Sequence, residues 1–254
     1  MTTSDNNGAQ YDSIASQYSE GKQSPLRRYV EAYSLFEMIG DAAGKQVVDL
    51  ACGDGIYARR LQREGAAEVT GVDISQGMID IAEKIEAEVP KGIRYICADA
   101  QQLGEVMPAA SADLIVGSYL FHYAPNEKAL RNMLTAVRSV LADGGRFVGI
   151  NENPEQSLTD FAGYAQYGFN KMACAPLIDS SAVTYSMVSG RSMINFEVYY
   201  YARSTYERLF AECGFSSWRW LPLQLDPAGV EACGEEYWQE YLGNPPVTGL
   251  ELLV

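Results

Sequence analysis

One histidine stands in 254 residues, and Lys and Arg together number 19 against 33 Asp and Glu, for a net charge of −14. A nucleic-acid substrate needs a basic footprint along its phosphates, and an anionic membrane surface needs the same. Neither nucleic acid nor membrane is therefore an expected partner. With one His and no H-x-x-x-H or C-x-x-C spacing, no ligand set for a metal is expected. Cys52, Cys97, Cys174, Cys213 and Cys233 form an odd set, which suits reduced thiols in the cytoplasm better than a disulfide framework. No apolar run approaches the roughly 18 residues of a membrane span. The opening MTTSDNNGAQ is too polar for a signal peptide.

What is present is an ordinary globular composition, 47% hydrophobic, enough for one large domain over 11–254 behind a disordered tail at 1–10. The stretch that organises it is KQVVDLACGDGIYA at 45–58. Val47 to Leu50 read as a short buried strand. At Ala51-Cys52-Gly53-Asp54-Gly55, two glycines let the backbone turn sharply and approach a ligand. Tyr57, Ala58 and Leu61 then take helical spacing. Strand, glycine turn and helix make the first unit of an open parallel sheet, which binds ligands at the carboxyl ends of its strands.

Gly53, Gly55 and Ala58 also fit G-x-G-x-x-A, a weak dinucleotide signal by itself. Asp49 lies inside the strand, a second strand (69–72) ends in Asp73, and a third (93–97) is followed by Asp99. Three acids near one rim, with no Lys or Arg in the glycine turn, suit a cationic nucleoside without phosphates better than NAD. Asp99 can equally begin an Asx-turn, and Asp49 can be a cap.

DLACGDG, GVDIS at 71–75, ADAQQL at 98–103 and LADGGRFV at 141–148 resemble class I S-adenosylmethionine-dependent methyltransferases, with four motifs in order over roughly residues 11–223. The resemblance implies an α/β fold with a doubly wound, mostly parallel seven-stranded Rossmann-like sheet. It implies S-adenosylmethionine as cofactor and S-adenosylhomocysteine as product. Gly53 and Gly55, with Ala51 and Cys52, would pass under the methionine part. Asp73 beside Ile74 would hold the ribose hydroxyls. Asp99, Ala100 and Met78 would hold adenine, and Ser118 and Tyr119 would sit at the sulfonium end. Tyr11 and Tyr18, on an N-terminal helical lid over 11–40, would fold over the cofactor.

Periodicity adds a helix from Leu26 to Ile39, closed by Gly40, a helix capped by Ser75, and another capped by Asn126. Asp143-Gly144-Gly145 reads as a turn into a fifth strand. Residues 152–194, rich in Tyr, Phe and Met, read as an inserted cap over the strand ends between strands five and six, its aromatic residues able either to stack on a flat acceptor or to form a small satellite core. A sixth strand is expected at 195–201, a helix with the capping box Ser204-Thr205-Tyr206-Glu207 follows, and a last strand spans 217–223.

Methyl transfer from a sulfonium is an in-line displacement that asks mainly for position and a dry site. A proton on the acceptor needs a base. His122, just past the fourth strand, is the candidate base, though it can equally be a hydrogen-bonded wall residue. Glu152, Asn153, Tyr119, Tyr164, Tyr167 and Tyr199 are candidates to orient a small, flat aromatic acceptor. YDSIA at 11–15, PLRRYVEAY at 25–33, YGF at 167–169, YERL at 206–209 and PPVTGLE at 245–251 look like bacterial toxoflavin-type N-methyltransferases. That likeness implies transfer to a ring nitrogen of an azapteridine-like metabolite; an oxygen or carbon acceptor is the alternative. A monomer or homodimer is expected.

Overall fold

A computed structural model describes residues 24–189 and 192–254. The strand read at 45–50 is β1 (Gln46–Leu50), and its side chains alternate between two buried faces, Val47 toward one apolar cluster and Val48 toward the other. Burial on both faces is what a central parallel strand requires. β2 (Glu68–Asp73) and β4 (Ala112–Ser118) flank it in parallel, with β3 (Arg94–Cys97) beyond β2. β5 (Leu141–Glu152) pairs parallel to β4.

Helix α1 (Ala32–Ile39) continues a π-helical turn, Arg27–Glu31, and ends at Gly40. α1, α2 (Ile56–Arg63) and α3 (Gln76–Glu88) cover one face of the sheet. α4 (Glu127–Val140) and α5 (Arg203–Glu212) cover the other. Ser75 and Asn126 are the caps that the sequence indicates: Ser75 Oγ accepts the Met78 N–H at 3.2 Å and Asn126 Oδ1 the Ala129 N–H at 3.0 Å. The buried face of α4 includes Leu130, Met133, Leu134, Val137 and Val140. At about 1.5–3 kcal/mol per large buried side chain, packing outweighs the cap in holding it.

The sheet has seven strands, in the order β3-β2-β1-β4-β5-β10-β9; the expected last strand at 217–223 is among them as its edge, and the expected sixth is not. The segment expected as the sixth strand is β8 (Ser192–Tyr200). It pairs antiparallel with β7 (Ser181–Ser189) in a separate three-stranded sheet with β6 (Phe169–Ala173). It pairs along its whole length with its nearest sequence neighbour, β7, at the edge of that second sheet. β9 (Ser217–Leu221) is the edge of that main sheet, and the place between it and β5 goes to β10 (Val247–Leu253), antiparallel to both. The ending around Pro245-Pro246 reads in the sequence as a segment docked on the domain, and Val247, Leu250 and Leu252 beyond the prolines are buried in β10.

Two local signals resolve differently as well. Asp143-Gly144-Gly145 is a bulge within β5: Ala112 and Leu114 of β4 pair with Leu141 and Arg146, and Gly144 takes φ 75°. The capping box does not form, since Ser204 falls inside α5, past its cap Ala202. Asp179 instead anchors the start of the helix, accepting the Ala202 N–H at 2.7 Å and the Thr205 hydroxyl at 2.5 Å from a loop 23 or more residues away. Two further helices, α6 (Pro227–Cys233) and α7 (Glu235–Gly243), precede β10. No helix among the described residues is long and apolar enough to cross a membrane.

Candidate cofactor and acceptor site

β1 delivers the chain into a turn in which Ala51, Gly53 and Gly55 all take left-handed φ values of 62°, 55° and 77°. Such a turn is strained for Ala51 and free for the glycines. What holds it is Asp73 at the end of β2. One carboxylate oxygen accepts the Gly53 N–H at 2.7 Å and the other the Ser75 N–H at 2.9 Å. The donor that a pyrophosphate would use at such a turn is therefore already taken by an acid. Glycine is required at 55 for a second reason: a Cβ there would come within 2.7 Å of the Tyr95 ring, and one at Gly71 within 2.6 Å.

Beyond the strand ends lies a cavity of about 730 Å³, within the range of small-molecule sites. Ala51, Cys52, Gly53, Asp73, Ile74, Met78, Asp99, Ala100, Ser118 and Tyr119 line it. The order across the sheet is Asp99 after β3, Asp73 on β2, the glycine turn after β1, and Ser118 and Tyr119 at β4. Asp99 is both things the sequence allows, since it lines the cavity and caps the turn at Ala100–Gln102 by accepting the Gln101 N–H at 2.9 Å. Asp49 is buried within β1 and Gly55 beneath Tyr95; neither lines the cavity. Tyr11 and Tyr18 lie outside the described residues.

The acceptor-side candidates other than Tyr119 stand apart from the lining of this cavity. His122 packs behind the wall, edge-on to Tyr119 and tilted against Tyr123, and is 1% exposed. Burial pushes its imidazole down to about 4, against the opposing pull of Glu152 and Asn151. Its Nδ1 lies 3.3 Å from the Glu152 N–H, which donates to it. A neutral ring so placed does not touch a ligand in the cavity. Glu152 is buried against Lys171 and accepts the Tyr185 hydroxyl at 2.8 Å. Asn153 donates to the Pro245 carbonyl, Tyr167 to that of Tyr237, and Tyr199 to the Glu197 carboxylate. Tyr164 stacks on Phe169 at 4.9 Å. The aromatic residues of the insert thus form a core of their own, with Tyr185 on Phe196 at 5.3 Å, and none of these six candidates lines the cavity.

Other side chains take their place. Arg27, Arg28 and Glu31, from the π-helical turn, face the cavity together with Tyr57, Tyr123 and Arg59, Arg60 and Arg63 of α2. The glycine turn itself is free of cations, as its sequence says, but the helix after it is not. Arg59 and Arg60 are engaged structurally: Arg59 donates to the Asp54 carbonyl at 2.5 Å, while Arg60 pairs with Glu64 at 2.7 Å and lies over Phe36. Tyr119 has φ 62° and donates its hydroxyl to Glu31 at 2.5 Å. Burial raises the pKa of Glu31, opposed by Arg27 and by this hydrogen bond, and raises that of Tyr119 well above the phenol range. The helical spacing of 27, 28 and 31 was visible in the sequence, but it merged with an apolar core face.

For a phosphate-free nucleoside the residues fit. The backbone is bare at Gly53, Asp73 offers a carboxylate to ribose hydroxyls, and the buried Ser118 hydroxyl makes no hydrogen bond to the described protein. Among the described residues no three His, Cys, Asp or Glu side chains gather as a metal site.

Comparison with known proteins agrees with this geometry. Residues 47–145 match a family described as a methyltransferase domain. The chain is 30% identical over 159 residues to a ubiquinone biosynthesis O-methyltransferase of Coxiella burnetii, covering 59% of this chain and 62% of the relative. It thus spans about three fifths of the length of such curated relatives. A crystal structure described as an S-adenosylmethionine-dependent methyltransferase from Mesorhizobium loti superposes with TM-score 0.63 at 20% identity, covering 92% of this chain and 100% of that one. A structure described as the [4+2]-cyclase SpnF superposes with TM-score 0.62 at 15% identity over 99% and 96%. At such identities the shared feature is the fold, and the fold serves more than one chemistry.

Proposed function

We propose that this chain, which carries a methyltransferase domain across residues 47–145 on a seven-stranded sheet, is an S-adenosylmethionine-dependent methyltransferase acting on a small acceptor. The observation that carries the reading is Asp73, which closes the glycine turn through the Gly53 N–H while itself facing the cavity. That arrangement repels a pyrophosphate and welcomes ribose hydroxyls. The cofactor would supply a methyl group already activated on sulfur. The chain's own residues would do the rest. Asp99, Ala100 and Met78 bind the base, Asp73 the ribose and Ser118 the far end, while Arg27 and Arg28 offer guanidinium groups to a carboxylate. Tyr57, Tyr119 and Tyr123 present rings to an acceptor and exclude water.

The acceptor we favour is a ring nitrogen of a planar heteroaromatic metabolite, supported by the tyrosines of the cavity and by the motif likeness at 25–33 and 206–209. A second reading, transfer to oxygen, is favoured by the names of the curated relatives. In either case the protein would work in the cytoplasm as a monomer or homodimer. Titration calorimetry with S-adenosylhomocysteine and with NAD tests the cofactor: the first binds, the second does not, and the reverse result ends the proposal. Labelled methyl donor offered with heteroaromatic N–H compounds and, separately, with phenols then distinguishes nitrogen from oxygen.

A further inference from the structure

Glu31 is a carboxylate 3% exposed that nevertheless lines the cavity. One oxygen accepts the Tyr119 hydroxyl. The other is buried with no hydrogen bond among the described residues, and Arg27 Nε, which forms an ion pair with it, stands 3.9 Å away, beyond hydrogen-bonding reach. A buried carboxylate held this loosely is costly unless a positive charge joins it. Tyr119 immediately follows Ser118, so Glu31 belongs to the β4 end of the cavity, remote from the adenine end at Asp99. Strands lie about 4.8 Å apart. Were adenine held at β3 and ribose at β2, the next part of the cofactor, its sulfur, would reach toward the ends of β1 and β4, where Tyr119 and Glu31 line the cavity.

We infer that Glu31 reads the charge on the cofactor's sulfur, holding the sulfonium form more tightly than the neutral thioether left after methyl transfer. The inference rests on the reading proposed above and deepens it. Loss of the methyl group removes the positive charge beside Glu31 and leaves the carboxylate with Arg27 at 3.9 Å, so the product is released from a site that has become less favourable for it. The guanidinium of Arg27 limits this effect without abolishing it, because it serves the same carboxylate in both states.

Calorimetry with S-adenosylmethionine and with S-adenosylhomocysteine tests this without any acceptor. The wild-type protein should bind S-adenosylmethionine about tenfold more tightly, a difference of about 1.4 kcal/mol. Glu31→Gln keeps the shape and still accepts the Tyr119 hydroxyl. It should lose about tenfold for S-adenosylmethionine while S-adenosylhomocysteine changes by less than about threefold. Equal weakening of both ligands overturns the inference, since Glu31 would then hold the amino group that both share; unchanged affinities overturn it too. Should the variant not fold, the wild-type affinity ratio decides. It should shrink as pH is lowered and Glu31, whose pKa burial raises, takes up its proton, for the other groups facing it, Arg27 on its own turn, Tyr119 after β4 and Tyr241 on α7, lose their protons only at high pH. A constant ratio refutes it. Binding of both ligands with equal affinity sinks the role of Glu31 alone, whereas binding of neither sinks the methyltransferase reading with it.

Discussion

Lys171 in β6 ends against the carboxylate of Glu152 at the end of β5, and both side chains are shut away from water, at 0% and 3% exposure. The ammonium also donates to Gln156 Oε1 at 2.7 Å and lies 4.0 Å from the Phe161 ring centroid. This pair joins the added three-stranded sheet to the main one. Burial lowers the pKa of Lys171, and Glu152 opposes that shift. Replacing one partner leaves the other charge buried alone. Lys171→Met should therefore cost about 3–5 kcal/mol in urea unfolding. The double change Lys171→Met with Glu152→Gln should recover much of the loss. A single variant as stable as wild type would mean that the pair holds nothing.

Asp73 is the hinge of the cofactor reading. Asp73→Ala removes the acceptor of the Gly53 and Ser75 N–H groups, together with the carboxylate offered to a ribose. With each charge-assisted hydrogen bond worth about 1.5–3 kcal/mol, affinity for S-adenosylhomocysteine should fall about a hundredfold or more. Calorimetry measures it, with circular dichroism checking that the fold persists.

Gly55 and Gly92 both have positive φ, 77° and 82°, but differ in surroundings. No atom lies within 4 Å of a Cβ built on Gly92, while one on Gly55 meets the Tyr95 ring. Gly92→Ala should cost about 1 kcal/mol, the left-handed penalty alone. Gly55→Ala should cost at least about 2 kcal/mol, because overpacking adds to it. Thermal unfolding of the two variants side by side tests the difference, which vanishes if Tyr95 can move aside.

His122 is buried as a neutral ring with its pKa lowered to about 4, so the unfolded chain binds its proton first as pH falls. Stability should drop through the window from about 6.5 to 4, and this residue should account for about 2 kcal/mol between pH 7 and pH 5. In His122→Asn that part of the slope disappears. Because His122 does not line the cavity, the same variant should retain S-adenosylhomocysteine affinity within about threefold at pH 7.5. A hundredfold loss would restore it to the site.

Much of the cofactor side was legible because it is built from short, local patterns. A β-branched run, two glycines one residue apart and acids ending successive strands are features of consecutive residues, and backbone geometry leaves them few other conformations. Ala51, Cys52, Gly53, Asp73 and Asp99 of this pattern line one cavity, beside Ile74, Met78, Ala100, Ser118 and Tyr119, which only the likeness to methyltransferases had indicated. The acceptor side was not legible, because aromatic residues that could meet a ligand look, in a sequence, like aromatic residues that meet one another. Tyr164, Tyr167 and Tyr185 chose each other's company and that of Phe169, Phe196 and Tyr241.

The amino-acid order by itself determined the parallel half of the sheet, its helix caps and the rim on which Asp73 and Asp99 stand. Tertiary structure alone decided that β8 belongs to a second sheet, that β10 fills the place beside β5, that Asp179 anchors the start of α5, and that Glu31 meets Tyr119 across 88 residues. The physical reason is one of range. Turns, caps and strand alternation are settled within a few residues of chain, whereas antiparallel pairing and buried charge depend on which distant partner reaches an unsatisfied group.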